Sequence, residues 1–339
     1  MYQLCVPSSP TWGAMLDSRK PPASLFEPPT LTQRIISSPF RFLAQTLYAL
    51  QNSLRRQVTS LSPEEPPIRV LCISDTHCLK PASLPPADLL IHAGDLSNKG
   101  TVDEIQDQLD WLKGLDYKHK IIIAGNHDSY FDPKSRKLED KDRKLDWGNE
   151  EDALVYLQDS STTLTFHNGE RQLKLYGAPQ IPACGGSAFA FQYPRDLDGW
   201  TDTVPADIDI LITHTPPKRH LDLPIGLGCE WLLREVWRIR PKLHVFGHIH
   251  YGHGQEQIYW DGAQRTYERL CDRKGSSVLG NLVNVFAWFD LTKLAAHGIL
   301  GLLWSQVWGG NDESTLMVNA ALMVGSTGTL GNPPQVVEI

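Results

Sequence analysis

No two cysteines of this chain stand at CxxC spacing. The six thiols (Cys5, Cys72, Cys78, Cys184, Cys229 and Cys271) are scattered over 339 residues, so they read as reduced thiols of a cytoplasmic, intracellular protein. Excess positive charge is missing too. A formal charge of −7 argues against a general nucleic-acid binder, because affinity for a phosphate backbone comes mainly from Lys and Arg. No uninterrupted apolar segment marks residues 1–30 as a secretory signal. The best apolar run elsewhere, Leu294 to Trp304, is short for a bilayer and holds His297, Gly298 and Gly301. The expectation is a soluble chain with no transmembrane span. There is no internal repeat and no low-complexity tract.

What the chain does contain is 41% hydrophobic residues, enough for one large α/β core or two modest ones. Five short apolar runs end in the same chemical vocabulary. Ile121-Ile122-Ile123-Ala124 leads into Gly125-Asn126-His127-Asp128, and the run from Ile68 to Ser74 leads into Asp75-Thr76-His77. Leu89 to Ala93 leads into Gly94-Asp95, Ile208 to Thr213 into His214, and Leu243 to Phe246 into Gly247-His248-Ile249-His250. Each run has the length of a buried strand. In open α/β sheets the ligand crevice lies outside the carboxyl ends of the strands.

Taken in order, residues 1–66 read as an N-terminal extension, closed by the Pro-rich linker Ser62-Pro63-Glu64-Glu65-Pro66-Pro67. Within it, Leu43, Leu47, Leu50 and Leu54 fall at helical spacing beside Arg41, Arg55 and Arg56, and no acidic residue stands between Glu27 and Glu64. Two readings follow: a basic amphipathic helix making peripheral membrane contact or meeting organelle import machinery, or a helix packed on the catalytic domain, which is preferred. Residues 67–339 read as one domain with an insertion at about 255–316. Thr101-Val102-Asp103-Glu104 has the capping-box pattern and opens a helix. A short helix is expected from Glu150 to Leu157, and another from about Cys229 to Arg240, stopped by Pro241. The strand-like Leu316-Met317-Val318 and Val336-Val337 suggest a strand pair at the carboxyl end.

Asp75, His77, Asp95, Asn126, His214, His248 and His250 form the candidate ligand set. Carboxylate oxygen mixed with imidazole nitrogen suits Mn²⁺, Fe²⁺ or Zn²⁺ better than Mg²⁺ or Ca²⁺. Seven ligands are too many for one tetrahedral ion and about right for two divalent ions if one carboxylate bridges. Such a cationic pair would attract a phosphate ester and activate a bridging hydroxide to attack phosphorus. Alone, each motif has a plainer reading, a turn or a hydrogen-bonded pair. Five together, each after an apolar strand, point to a metal site.

This order, D-x-H, G-D, G-N-H-D, H and G-H-x-H, resembles the calcineurin-like metallophosphoesterase superfamily. The resemblance implies one metal on Asp75, His77 and His250, a second on Asn126, His214 and His248, and Asp95 bridging. It implies that His127 is no ligand but lies over the phosphate, stabilising charge or protonating the leaving oxygen, with Asp128 orienting it. Tyr176-Gly177-Ala178-Pro179, Ala188 to Tyr193, the run Arg240 to His250 and Asn332-Pro333-Pro334 resemble, more narrowly, the metallophosphoesterase-domain (MPPED) group, with class III phosphodiesterases among its relatives. That resemblance implies a four-layer α/β/β/α sandwich of two mixed sheets flanked by helices. It does not cover residues 255–316. Where a protein Ser/Thr phosphatase would carry Asp-Arg-Gly, this chain has Asp95-Leu96-Ser97, and where a purple acid phosphatase would carry Tyr it has Asn98. What remains is a dimetal hydrolase of small phosphodiesters, of the cyclic-nucleotide kind. The alternatives are a phosphomonoesterase or nuclease of the same chemistry, or a metal-stabilised scaffold binding a partner or membrane. His220 and His253 flank the motifs as further pocket candidates, and oligomeric state is left open.

Overall fold

The computed structural model describes residues 28–55, 66–149, 154–273, 284–308 and 313–339. Cys5, the Pro-rich start of the chain, Arg56, most of the linker and residues 150–153 lie outside them. In chain order the elements are α1 (Leu31–Ser37), α2 (Pro39–Leu54), β1 (Arg69–Ile73), β2 (Leu89–Ala93), α3 (Val102–Lys113), β3 (His119–Ile123), β4 (Leu154–Tyr156), β5 (Ser160–Phe166), β6 (Arg171–Ala178), β7 (Ile181–Pro182), β8 (Gln192–Tyr193), β9 (Ile210–Thr213), α4 (Glu230–Ile239), β10 (Leu243–Phe246), β11 (Gly254–Tyr259), α5 (Gly262–Asp272), α6 (Val285–Gln306), β12 (Ser314–Asn319) and β13 (Gln335–Glu338). Contacts divide the chain into two compact units, Arg56–Trp260 with Gly310–Ile339, and Met1–Arg55 with Asp261–Gly309.

The larger unit holds two mixed sheets. One has the order β13-β1-β2-β3-β4, the other β11-β12-β10-β9-β6-β5. In the first only β13 runs antiparallel to its neighbour. In the second the antiparallel strands are β11 and β5, at the two edges. Side chains alternate across a strand, and here both faces are buried, which is why the runs are continuously apolar. Val70 and Ile91 of the first sheet meet Ile212 and Val245 of the second in one core. The opposite faces carry helices: Leu71 and Leu90 pack with Ile105 and Leu109 of α3, and Leu211 and Phe246 with Leu232 and Val236 of α4. The result is four layers, α/β/β/α.

Helix ends follow the local chemistry. The Thr101 side chain accepts from the Glu104 backbone N–H, but Glu104 does not close the box, since its carboxylate accepts from Lys99 N–H at 2.7 Å. Cys229 caps α4 through its sulfur, and Arg240 ends it in the left-handed conformation just before Pro241. Three expectations are corrected. The segment expected as a helix up to Leu157 is strand at Leu154–Tyr156, held parallel to β3; its β-branched and aromatic residues fit a sheet edge. The two carboxyl-end strands do not pair with each other: β12 lies between β10 and β11, and β13 beside β1. Residues 254–259, expected to lie largely in the insertion, form an edge strand of the second sheet.

In the smaller unit α2, α5 and α6 share a core of Phe40, Ala44, Tyr48, Tyr267, Leu291 and Leu294. The leucine stripe legible in the sequence is not the buried face of α2. Leu43, Leu50 and Leu54 are exposed, while Phe40, Ala44, Tyr48 and Gln51 turn inward. Helix α6 is also longer than the apolar run Leu294 to Trp304. His297 and the glycines do not interrupt α6, which continues for 22 residues, so among the described residues one helix is long and apolar enough to cross a membrane by length and composition.

Candidate metal centre

Five strand ends of the larger unit deliver the seven residues. β1 leads to Asp75 and His77, β2 to Asp95, β3 to Asn126, β9 to His214, and β10 to His248 and His250. Asp75, His77, Asp95 and His248 all have positive φ. L-residues avoid that region at a cost of about 1 kcal/mol or more each, and such strain persists where the surrounding structure over-determines it, commonly at functional sites. The glycines of the motifs have a steric reason. A Cβ at Gly247 would collide with Ser74 Oγ and Asp75 Oδ2, and one at Gly125 with the Asp95 carboxylate. Backbone must pass there for the carboxylates to fit.

Three overlapping groups of donor atoms form: Asp75, His77 and His250; His77, Asp95 and His127; and Asp95, His214 and His248. Within each, the atoms lie no more than 4.8 Å apart. Asp95 belongs to two of the groups, Asn126 Oδ1 lies 3.0 Å from His214 Nε2, and His214 Nε2 lies 3.3 Å from Asp95 Oδ2. The rings are aimed from behind. His214 Nδ1 faces the Ala93 carbonyl at 2.9 Å, His250 Nδ1 that of Gly325 at 2.5 Å, and His127 Nδ1 that of Asn98 at 2.8 Å. A carbonyl only accepts, so each Nδ1 carries the proton and Nε2 is left for a ligand.

The electrostatics ask for cations. Asp75 and Asp95 are almost fully buried, and among the described residues their ion-pair partners are histidines only: His77, His214 and His250. A buried carboxylate needs an opposite charge. Burial opposes ionisation of Asp75, yet the His250 hydrogen bond and charge hold it well below the usual carboxylate range. Burial likewise lowers His214 and His250, but Asp95 and Asp75 outweigh it and raise both to about 9. Without a metal, protons would fill the role of countercharge. His77 Nε2 is buried with no hydrogen-bond partner and lies 3.6 Å from Asp95 Oδ2. An orphaned imidazole nitrogen facing a carboxylate fits a cation between them.

The structure places His127 at the cluster but gives Asp128 a different part from the one expected. The Asp128 carboxylate is buried and accepts from the backbone N–H groups of Leu96, Ser97 and Gly125 and from the Ser97 hydroxyl. It ties the Asp95 loop to the Gly125 loop and does not orient the His127 ring, which Asn98 does. Asn98 also donates to the His77 carbonyl at 3.0 Å. Its role was invisible in the sequence, because a backbone carbonyl carries no residue signature. The same holds for Ala93 and Gly325. Phe189 was likewise missed as a site residue, and its ring lies 4.8 Å from that of His127. His220 and His253 join none of the donor groups. His220 pairs with Glu256, and His253 meets the Pro333 carbonyl and Gln335.

A four-layer sandwich whose strand ends converge on two buried carboxylates ringed by imidazoles has the mixed donor set of a divalent-metal centre. The family model for calcineurin-like phosphoesterases matches residues 68–252. The chain belongs to that family. It is 38% identical over 213 residues to human metallophosphoesterase domain-containing protein 1, covering 55% of this chain and 61% of that protein. A UPF0046 protein of Caenorhabditis elegans, C25E10.12, is 37% identical over 220 residues, covering 61% and 76%. A protein of Emericella nidulans named probable rhamnogalacturonate lyase C is 39% identical over 296 residues, which is 86% of this chain and 26% of that one. The chain thus spans about a quarter of the Emericella relative and about three fifths of the human one.

Proposed function

We propose that this chain is a dimetal phosphoesterase that hydrolyses small phosphodiesters, cyclic-nucleotide-like esters among them. The observation that carries the reading is the convergence of Asp75, His77, Asp95, His127, His214, His248 and His250 into three overlapping donor groups, linked through His77 and Asp95. Asp75, His77 and His250 would hold one divalent ion, Asn126, His214 and His248 the other, and Asp95 would touch both, with Mn²⁺, Fe²⁺ or Zn²⁺ matching the mixed donors. Bound there, two ions supply Lewis-acid polarisation of the phosphoryl oxygens and acidify water for attack.

The chain's own residues do the rest. His127 has its Nδ1–H committed to Asn98 and its backbone N–H to Asp95 Oδ1 at 2.8 Å, so the ring is fixed with Nε2 open. A proton taken up from water at that nitrogen can be handed on to the departing ester oxygen. Phe189, beside it, offers an aromatic face to a planar leaving group such as a nucleobase or aryl ring, which supports a diester carrying one. Thiols scattered with no CxxC pair support a cytoplasmic location.

Purified full chain with added Mn²⁺ is assayed on bis-nitrophenyl phosphate and nitrophenyl phosphate, beside Asn126→Ala. Hydrolysis of the diester, faster than the monoester and lost in Asn126→Ala, is expected. Equal rates in both proteins would defeat the dimetal reading, and preference for the monoester would defeat the diester one.

A further inference from the structure

We infer that the helical unit of α2, α5 and α6 is a docking surface for an anionic lipid bilayer, lying along the headgroup layer without crossing it. The inference does not rest on the phosphoesterase reading. α6 is apolar nearly all round, and its outward positions Val285, Phe289, Ile299 and Leu303 recur at helical spacing. Val285 and Phe286 are 75% and 74% exposed, and Trp308 just beyond the helix is 62% exposed. α2 turns Leu43, Leu50 and Leu54 outward as well, and Ile36 of α1 is exposed. Soluble surfaces seldom present so many large apolar side chains in one small unit.

Charge identifies the occupant. The chain as a whole carries −7, yet the described part of this unit has seven Lys or Arg against four Asp or Glu. Residues 28–55 contain no acidic side chain at all. On α5 the outward positions include Arg265 and Arg269. An apolar face with tryptophan, in a unit of opposite sign to the rest of the chain, matches an interface of acyl chains below anionic headgroups.

The inner face of α6 decides between lying on the bilayer and spanning it. Asp290 on that face pairs with Arg273, and Gln51 donates to the Leu294 carbonyl at 3.3 Å. Gly298 and Gly301 leave room for the Gln51 and Arg55 side chains. Arg55 in turn is bound to Asp261. A span would carry these charges into hydrocarbon or strip α6 from its partners, both at high cost.

Full-length protein is floated with vesicles of phosphatidylcholine alone and of phosphatidylcholine with phosphatidylserine. The variants are the double substitutions Phe289→Glu with Leu303→Glu, and Arg265→Glu with Arg269→Glu. Binding to the anionic vesicles is expected, weakened at least about tenfold by either double variant and released by alkaline carbonate. The far-ultraviolet circular dichroism spectrum and the urea unfolding midpoint should be unchanged, which shows that the variants fold. Absence of binding to both vesicles, or equal binding to both, overturns the inference. Resistance to carbonate overturns the in-plane arrangement. A concentration-dependent dimer that the Phe289 and Leu303 variant abolishes, with no vesicle binding, makes the face a contact between copies instead.

Discussion

Gly247 carries no functional group, yet it sits where the chain passes the Asp75 carboxylate. Gly247→Ala forces that contact apart, an overpacking cost of about 1–3 kcal/mol, and shifts Asp75, a proposed ligand. A displacement on the order of 1 Å at a reacting centre is worth about a hundredfold in rate. The expected outcome is activity lost by about that factor together with substoichiometric metal in elemental analysis. Wild-type metal content at a wild-type rate would contradict it. Asp128 is the complementary case, charged but structural. Asp128→Ala orphans the buried N–H groups of Leu96, Ser97 and Gly125, each worth about 1–3 kcal/mol. Urea unfolding should therefore show a loss of at least about 3 kcal/mol, and Asp128→Asn, which keeps one acceptor oxygen, should recover part of it.

Among the elements, β10 joins both kinds of histidine. His248 and His250 follow it at the site, whereas His244 lies within it, fully buried and 2.9 Å from Thr213 Oγ1. Burial, helped by the charge of His220, lowers His244 to about 3. The unfolded chain takes up a proton at the ordinary value near 6.5, the folded chain not until much lower. Stability from this group is complete above that unfolded value and is lost as pH falls toward the folded one, by up to about 1.4 kcal/mol per pH unit. Comparing urea unfolding at about pH 7 and about pH 5, His244→Gln should lose about 2 kcal/mol less than the wild type. An identical acid dependence would show that His244 is not held neutral. Helix α6 carries a different lesson. Its length was hidden because glycine and histidine look like interruptions in an apolar run, while in the fold they face Gln51, Arg55 and α5.

At the scale of the whole molecule, two buried carboxylates whose ion-pair partners are histidines tie stability to cations. An ion that binds the folded state at a hundred times its dissociation constant adds about 2.7 kcal/mol. Stripping with a chelator should lower the melting temperature, and Mn²⁺ should restore it, in wild type but not in a chain carrying Asp95→Asn. A melting curve indifferent to chelation would mean that the centre holds no metal in solution.

Spacing along the chain was enough to read five strands and to name seven candidate ligands that the fold brings to neighbouring strand ends, because a buried strand must be apolar throughout and must end where polar groups can gather. The same logic located α3 and α4, whose stripes and caps are local. What the chain order left open needed contacts between distant segments. Only the fold placed Asn98 behind His127, gave Asp128 to the backbone of two loops, and made residues 154–156 a strand by pairing them with β3. Only packing showed that α2 buries Phe40 and Tyr48 while its leucines face out. Local periodicity says that a helix has an apolar face. Which face is covered depends on what the rest of the chain brings to it.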